Sequence, residues 1–183
     1  CPAILLIMFS RNEAHNPIRL FAFIVVVTLL LTAPALAGSS ASLMDISTDG
    51  QLLACTNRDS GTVTIVRLSD HANLHEIKVG HKPEGVSFLG DTHRLAVAVY
   101  FDDTVVFVDG DSGRTLGTTP VFDEPYAVVS SPAGDKAYVT LSYPGRLVEI
   151  DCTSFKVTRA FDAGEFARGL AMSHDGNTLY VTE

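Results

Sequence analysis

An all-β fold of repeated four-stranded antiparallel sheets is predicted by three observations. Four segments of the chain align without a gap at a constant spacing of 42 residues. Within each, apolar runs of four to seven residues rich in Val, Ile, Leu, Phe and Tyr are cut by turn residues. A sustained 3.6-residue apolar period, which a helix would need, is absent from the repeats.

The segments are Leu43–Thr56 (LMDISTDGQLLACT), Gly85–Ala98 (GVSFLGDTHRLAVA), Ala127–Thr140 (AVVSSPAGDKAYVT) and Gly169–Thr182 (GLAMSHDGNTLYVT). The register continues downstream, where Gly61-Thr-Val-Thr-Ile-Val aligns with Asp103-Thr-Val-Val-Phe-Val and Gly145-Arg-Leu-Val-Glu-Ile. Pro83 and Pro125 keep the same spacing. In the second repeat the pattern predicts strands over Gly85–Leu89, Arg94–Tyr100, Thr104–Asp109 and Arg114–Thr119. Asp49-Gly50, Ala133-Gly134 and Asp175-Gly176 supply the positive φ of a tight first turn. Asp109 and Asp151 end third strands, where a carboxylate is expected to accept turn N–H groups.

One four-stranded sheet has two faces to cover, and leaning on its neighbours covers them. Strand-only repeats of this length favour closure into a ring over an open solenoid, which predicts a β-propeller. Of the 183 residues, 146 follow residue 37, enough for about 3.5 blades, whereas rings close with about four to eight. The expectation is therefore the N-terminal part of a longer propeller, domain 38–183, which by itself aggregates or packs loosely.

Ahead of it, Arg11 and Arg19 precede an apolar run, Leu20–Leu31, and then the small-residue site Ala35-Leu36-Ala37. This is the layout of a cleaved signal peptide over residues 1–37. The run is shorter than the about 20 apolar residues of a membrane span, so none is expected in the mature chain. Met8 opens a conventional leader, which makes residues 1–7 a candidate upstream extension. An exported protein, periplasmic or extracellular, is expected.

The net charge of −8 argues against a nucleic-acid partner, since phosphate binding needs clustered Lys and Arg. Three cysteines with no CxxC exclude a zinc ribbon, a disulfide framework or haem attachment within this stretch. For Cys55 and Cys152, buried thiols and a bridge both remain open.

Tyr138-Val139-Thr140-Leu141 and Tyr180-Val181-Thr182-Glu183, with Val79-Gly80-x-x-Pro83-x-Gly85-Val86, resemble the YVTN family of β-propeller repeats. The resemblance runs from about Leu43 to the end and implies a seven-bladed ring, commonly in secreted, periplasmic or cell-surface proteins, some fused to c-type cytochrome domains. The first and second repeats depart from the motif at Ala54-Cys55-Thr56-Asn57 and Ala96-Val97-Ala98-Val99. WD40 repeats match less well, because the chain has no Trp.

In such a ring the segment before each inner strand and the turn between second and third strands share one rim. The first group is 80–84, 122–126 and 164–168; the second is 57–60, 101–102 and 142–144. Glu84, Tyr126 and Arg168 fall at one equivalent position in successive blades. Three different polar types at one position suggest a recognition surface, since binding residues concentrate on scaffolded loops. The candidate ligand or partner residues are His81, Glu84, Asp123, Glu124, Tyr126, Glu165, Arg168, Arg58, Asp102 and Tyr143. The competing reading is that these loops are polar because they are wet.

No catalytic residue, metal site or cofactor is expected. His81 and His174 are the histidines that could face a ligand. His71 and His75 are four apart, but in a turn and a strand, where that spacing does not converge. Asp109-Gly-Asp111-Ser-Gly113 lacks the distal Glu of a calcium loop. No GxSxG, P-loop or GxGxxG occurs. The leading expectation is a binding or scaffold domain for a protein or small ligand. One alternative is the first domain of a periplasmic oxidoreductase with a c-type haem domain beyond Glu183. Another is a propeller lactonase-like hydrolase placing His81, Glu84 and Arg168 around one substrate.

Overall fold

Fourteen strands and no helix follow one another through residues 40–183, the part of the chain that the computed structural model describes. The signal-peptide assignment for 1–37, with its extension over 1–7, lies outside the described residues. Twelve strands make three antiparallel four-stranded meanders in sequence order. The first blade is β1 (Ala41–Ile46), β2 (Leu52–Asn57), β3 (Thr62–Arg67) and β4 (Ala72–Lys78). The second is β5 (Pro83–Phe88), β6 (Arg94–Val99), β7 (Thr104–Asp109) and β8 (Arg114–Pro120). The third is β9 (Pro125–Ser130), β10 (Lys136–Leu141), β11 (Arg146–Asp151) and β12 (Lys156–Asp162). A hairpin of β13 (Leu170–Met172) and β14 (Leu179–Val181) begins the fourth repeat.

The inner strand of the second blade runs two residues earlier than the apolar pattern suggests, because Pro83 still pairs with Val99. It stops at Phe88, where the Leu89 N–H turns to the Arg94 carbonyl at 2.8 Å. The 42-residue period reaches into the irregularities. Between the third and fourth strands of each blade the ladder shifts at the same place, between Ile65 and Val66, Phe107 and Val108, and Glu149 and Ile150. Asp109 and Asp151 accept the turn N–H groups of Ser112 and Ser154, each at 2.7 Å.

First strands of successive repeats touch one another (β1 with β5, β5 with β9, β9 with β13), while the outermost strand β12 is exposed along its length. The blades therefore fan from a common inner edge. Two apolar layers fill the fan. Leu95, Val97, Val99, Val106 and Val108 face the first blade and meet Leu52, Ala54, Val63 and Ile65. Ala96, Ala98, Val105 and Phe107 face the third and meet Val139, Leu141, Val148 and Ile150. Alternate residues of β6 and β7 thus serve opposite interfaces. That is why those strands read as unbroken apolar runs, whereas β2 and β3 alternate buried with half-buried residues.

A threonine joins blade to blade. The Thr56 hydroxyl, fully buried, accepts the Leu43 N–H at 3.1 Å and lies 2.7 Å from the Glu84 carbonyl of the next blade. Thr140 repeats this, accepting the Ala127 N–H and donating to the Arg168 carbonyl, both at 3.0 Å. In the second blade the equivalent residue is Ala98. There the backbones pack directly: a Cβ on Gly85 would lie 2.4 Å from the Tyr126 carbonyl.

Candidate functional site at the interblade rim

The two groups of rim loops are hydrogen-bonded into one surface. The Phe101 N–H donates to the His81 carbonyl at 3.3 Å, the Tyr100 N–H to Lys82 at 3.1 Å and the Ser142 N–H to Glu124 at 2.9 Å. In each loop before an inner strand, one non-glycine residue holds a left-handed backbone. Lys82, Glu124 and Phe166, each 42 residues apart, have φ of 52°, 45° and 58°. Such a conformation costs an L-residue of order 1–2 kcal/mol, which glycine would avoid. The same rim carries four exposed aromatics, Phe101, Phe122, Tyr143 and Phe166, at 59–67% accessibility.

Three notches sit between successive blades, and their chemistry differs. In the first, Glu84 is 6% exposed and its carboxylate is taken up by the Ser42 hydroxyl and by Arg58 Nε at 2.5 Å. That hydrogen bond pushes the Arg58 pKa up. Glu84 and Arg58 therefore tie the first blade to the second, and the part-exposed Arg58 also lines the cavity beside them. Beside them His81 is exposed. Its backbone N–H and Nδ1 both lie 2.8 Å from the Asp102 carboxylate. Burial pushes the Asp102 carboxyl up, but these His81 contacts overcome it and hold it below the usual carboxylate range. A cavity of about 280 Å³ opens here, with Lys82 Nζ 5.3 Å from the Phe101 ring centroid.

In the second notch, burial first and then the Glu124 carboxylate push the Tyr100 phenol up to about 12. Asp123 adds to that shift, and the charge of Arg168 opposes it. The Arg168 guanidinium lies over the Tyr126 ring at 4.8 Å. These two residues border a space of about 380 Å³ whose walls come from all four inner-strand segments, including Met44, Ser87, Val128 and Leu170. The third notch, about 230 Å³, is lined by Ser142, Tyr143, Pro144, Glu165 and Phe166.

The predicted residues thus separate into groups: Arg58 with Glu84, His81 with Asp102, Asp123 and Glu124 around Tyr100, Tyr126 with Arg168, and Tyr143 with Glu165. His174 lines a cavity with Thr48 and Asp91 in first-turn segments, so it does not converge with His81. Tyr100 escapes a reading of the loops because the apolar pattern carries the second strand through it, whereas β6 stops at Val99; it stands 42 residues from both Arg58 and Ser142. Sequence reasoning also missed His93, a surface histidine outside the rim loops. Its Nδ1 is 2.7 Å from Asp111 and its Nε2 3.0 Å from Asp49 of the first blade. Cys55 and Cys152 are unbridged, and burial pushes both thiols up, Cys152 to about 12.

No protein-family model matches the chain. It is similar to the uncharacterized protein YncE of Salmonella typhi and of Salmonella typhimurium, 28% identical over 149 residues, 79% of this chain and 42% of each relative. The chain therefore spans about two fifths of the length of the curated relatives it matches. Among solved structures it is similar to a hydrazine synthase chain of Kuenenia stuttgartiensis, with TM-score 0.71 and 27% identity over 74% of this chain and 40% of that one. Dihydro-heme d1 dehydrogenase NirN, in complex with DHE, superposes with TM-score 0.66 at 19% identity, over 76% of this chain and 32% of that one. Fanned antiparallel blades and these neighbours agree: the fold is that of a β-propeller repeat chain.

Proposed function

We propose that this chain belongs to an exported propeller of the YVTN repeat type, which binds a protein or small ligand through its rim loops. One observation carries the reading. A strained left-handed position recurs at Lys82, Glu124 and Phe166, with a basic, an acidic and an aromatic side chain in turn. Architecture alone would be served by glycine three times; different side chains on the same costly backbone point to recognition. The acidic balance favours a protein or small molecule over nucleic acid, and the leader-like stretch before residue 38 favours export.

A photo-crosslinking residue placed at Phe101 or Tyr143, in the native host, tests the reading. Adducts are expected there and not from positions 91 or 177 in first-turn segments. Equal labelling of both sets refutes a dedicated rim. A reporter active only outside the cytoplasm, fused after Gly38, is expected to be active.

The likeness to a hydrazine synthase chain favours a second reading, a propeller within an oxidoreductase. The polypeptide purified from its host would then show covalently bound c-type haem by its absorbance. No comparable observation favours a lactonase-like hydrolase, since Glu84 and Arg168 are engaged in separate contacts, with Arg58 and with Tyr126.

A further inference from the structure

We propose that the third notch is a receptor for an organic cation, an ammonium or guanidinium group seated against Tyr143 and Phe166 with Glu165 as its counter-charge. This rests on the rim-binding reading only in taking the rim as the ligand surface; the chemistry comes from the notch itself. Two exposed rings and Pro144 form an apolar wall around about 230 Å³. That volume lies below the about 300–1,000 Å³ of drug-sized pockets, so it suits a single head group. Glu165 has no hydrogen-bond or ion-pair partner among the described residues. The Ser142 hydroxyl, in the same wall and 1% exposed, is buried without a hydrogen-bond partner.

The repeat supplies an internal control. In the first notch, at the same backbone positions, His81 and Lys82 stand where the third has Glu165 and Phe166. There the rim provides its own cation, Lys82 beside the Phe101 ring. On the next inner-strand position the pattern recurs, with Arg168 over Tyr126. The third notch keeps the ring and replaces His81 and Lys82 with a carboxylate and a second ring. Its charge is inverted on the same scaffold, and an incoming cation restores the arrangement seen elsewhere on the rim. One carboxylate and one hydroxyl are too few oxygens for a hard metal ion, which takes about six to eight. The loop's own cation, Arg168, is occupied by Tyr126.

The test titrates the full chain with choline and with its uncharged isostere 3,3-dimethylbutanol, following the aromatic resonances by NMR. Choline is expected to bind at least about fivefold more tightly than the isostere, as a charged group over ring faces should. Glu165→Gln and Phe166→Leu are each expected to weaken choline about three- to tenfold, with unchanged thermal melts. Asp91→Asn, in a first-turn segment, is expected to leave binding unchanged. A blocked lysine peptide separates the sources. If it displaces choline more tightly than choline binds, the cation is a protein side chain; if it fails to compete, the cation is a free small molecule. Equal binding of the isostere, or an unaffected Glu165→Gln variant, overturns the proposal. Rim crosslinking is a separate readout, so cation binding without adducts would overturn only the broader reading, and adducts without cation binding only this one.

Discussion

Replacing Thr140 by Val removes one hydroxyl from the contact between the third blade and the fourth hairpin while keeping the branched shape. The hydroxyl is fully buried, accepts from the Ala127 N–H and donates to the Arg168 carbonyl. Its loss leaves the Ala127 N–H, 8% exposed as a residue, without a partner, while water can reach the exposed Arg168 side of the bond. One buried orphan costs about 1–3 kcal/mol, and a lost bond that water replaces costs little, so about 2 kcal/mol is expected. Thr56→Val leaves a comparable pair, the buried Glu84 carbonyl and the part-exposed Leu43 N–H, and predicts a similar loss. Thr140→Ser keeps the hydroxyl and gives up one methyl, about 1 kcal/mol. Urea unfolding followed by tyrosine fluorescence measures all three. A Thr140→Val variant within about 0.5 kcal/mol of wild type would refute the idea that this hydroxyl joins the blades.

Other outcomes follow from the same contacts. Arg58→Met leaves the Glu84 carboxylate with Ser42 alone, and because Arg58 is itself part-exposed the expected loss is about 1–2 kcal/mol, with a clear coupling term in a double-mutant cycle with Glu84→Gln. Gly61→Ala should cost at least about 2 kcal/mol in the same unfolding assay, since φ is +68° and the new Cβ would lie 2.0 Å from the Gly80 carbonyl oxygen. His93 has a raised pKa, caused first by Asp111 and then, against burial, by Asp49. Its stabilisation is therefore present below the ordinary imidazole value and lost as pH rises through the raised one. Asp49, lowered to about 2 chiefly by the Ser47 hydroxyl, stabilises above 3.8 and loses that as pH falls. The tie between the first two blades should be strongest from about pH 4 to 6.5, and His93→Gln should lower the melting temperature at pH 5.5 but hardly at pH 8.5.

Blade architecture was readable because burial writes itself into period: β6 and β7, covered on both faces, read as apolar runs, and every tight turn carries its Gly or Asp. Single-residue strand limits were less readable, since Pro83 pairs with Val99 through a ladder irregularity that no apolar pattern marks. The rim loops could be located from spacing alone, but not which side chains spend themselves on one another. Nothing in the residues Glu84 and Arg58, 26 positions apart, distinguishes a buried tie from an open ligand pair. Phe101 and Phe166 could be placed in the rim loops but not singled out there, because an aromatic in sequence looks the same whether its ring is exposed or buried. His93 bridges turns of two blades, a proximity that only the fan creates.

Curvature of the stack is most directly tested by spin labels placed pairwise with Asp59→Cys, Phe101→Cys and Tyr143→Cys, at equivalent rim positions, with the native cysteines changed to Ser. Blades fanned about a common inner edge predict equal 59–101 and 101–143 separations, and a 59–143 separation clearly shorter than their sum. A 59–143 separation equal to that sum would mean a straight stack and would contradict the propeller.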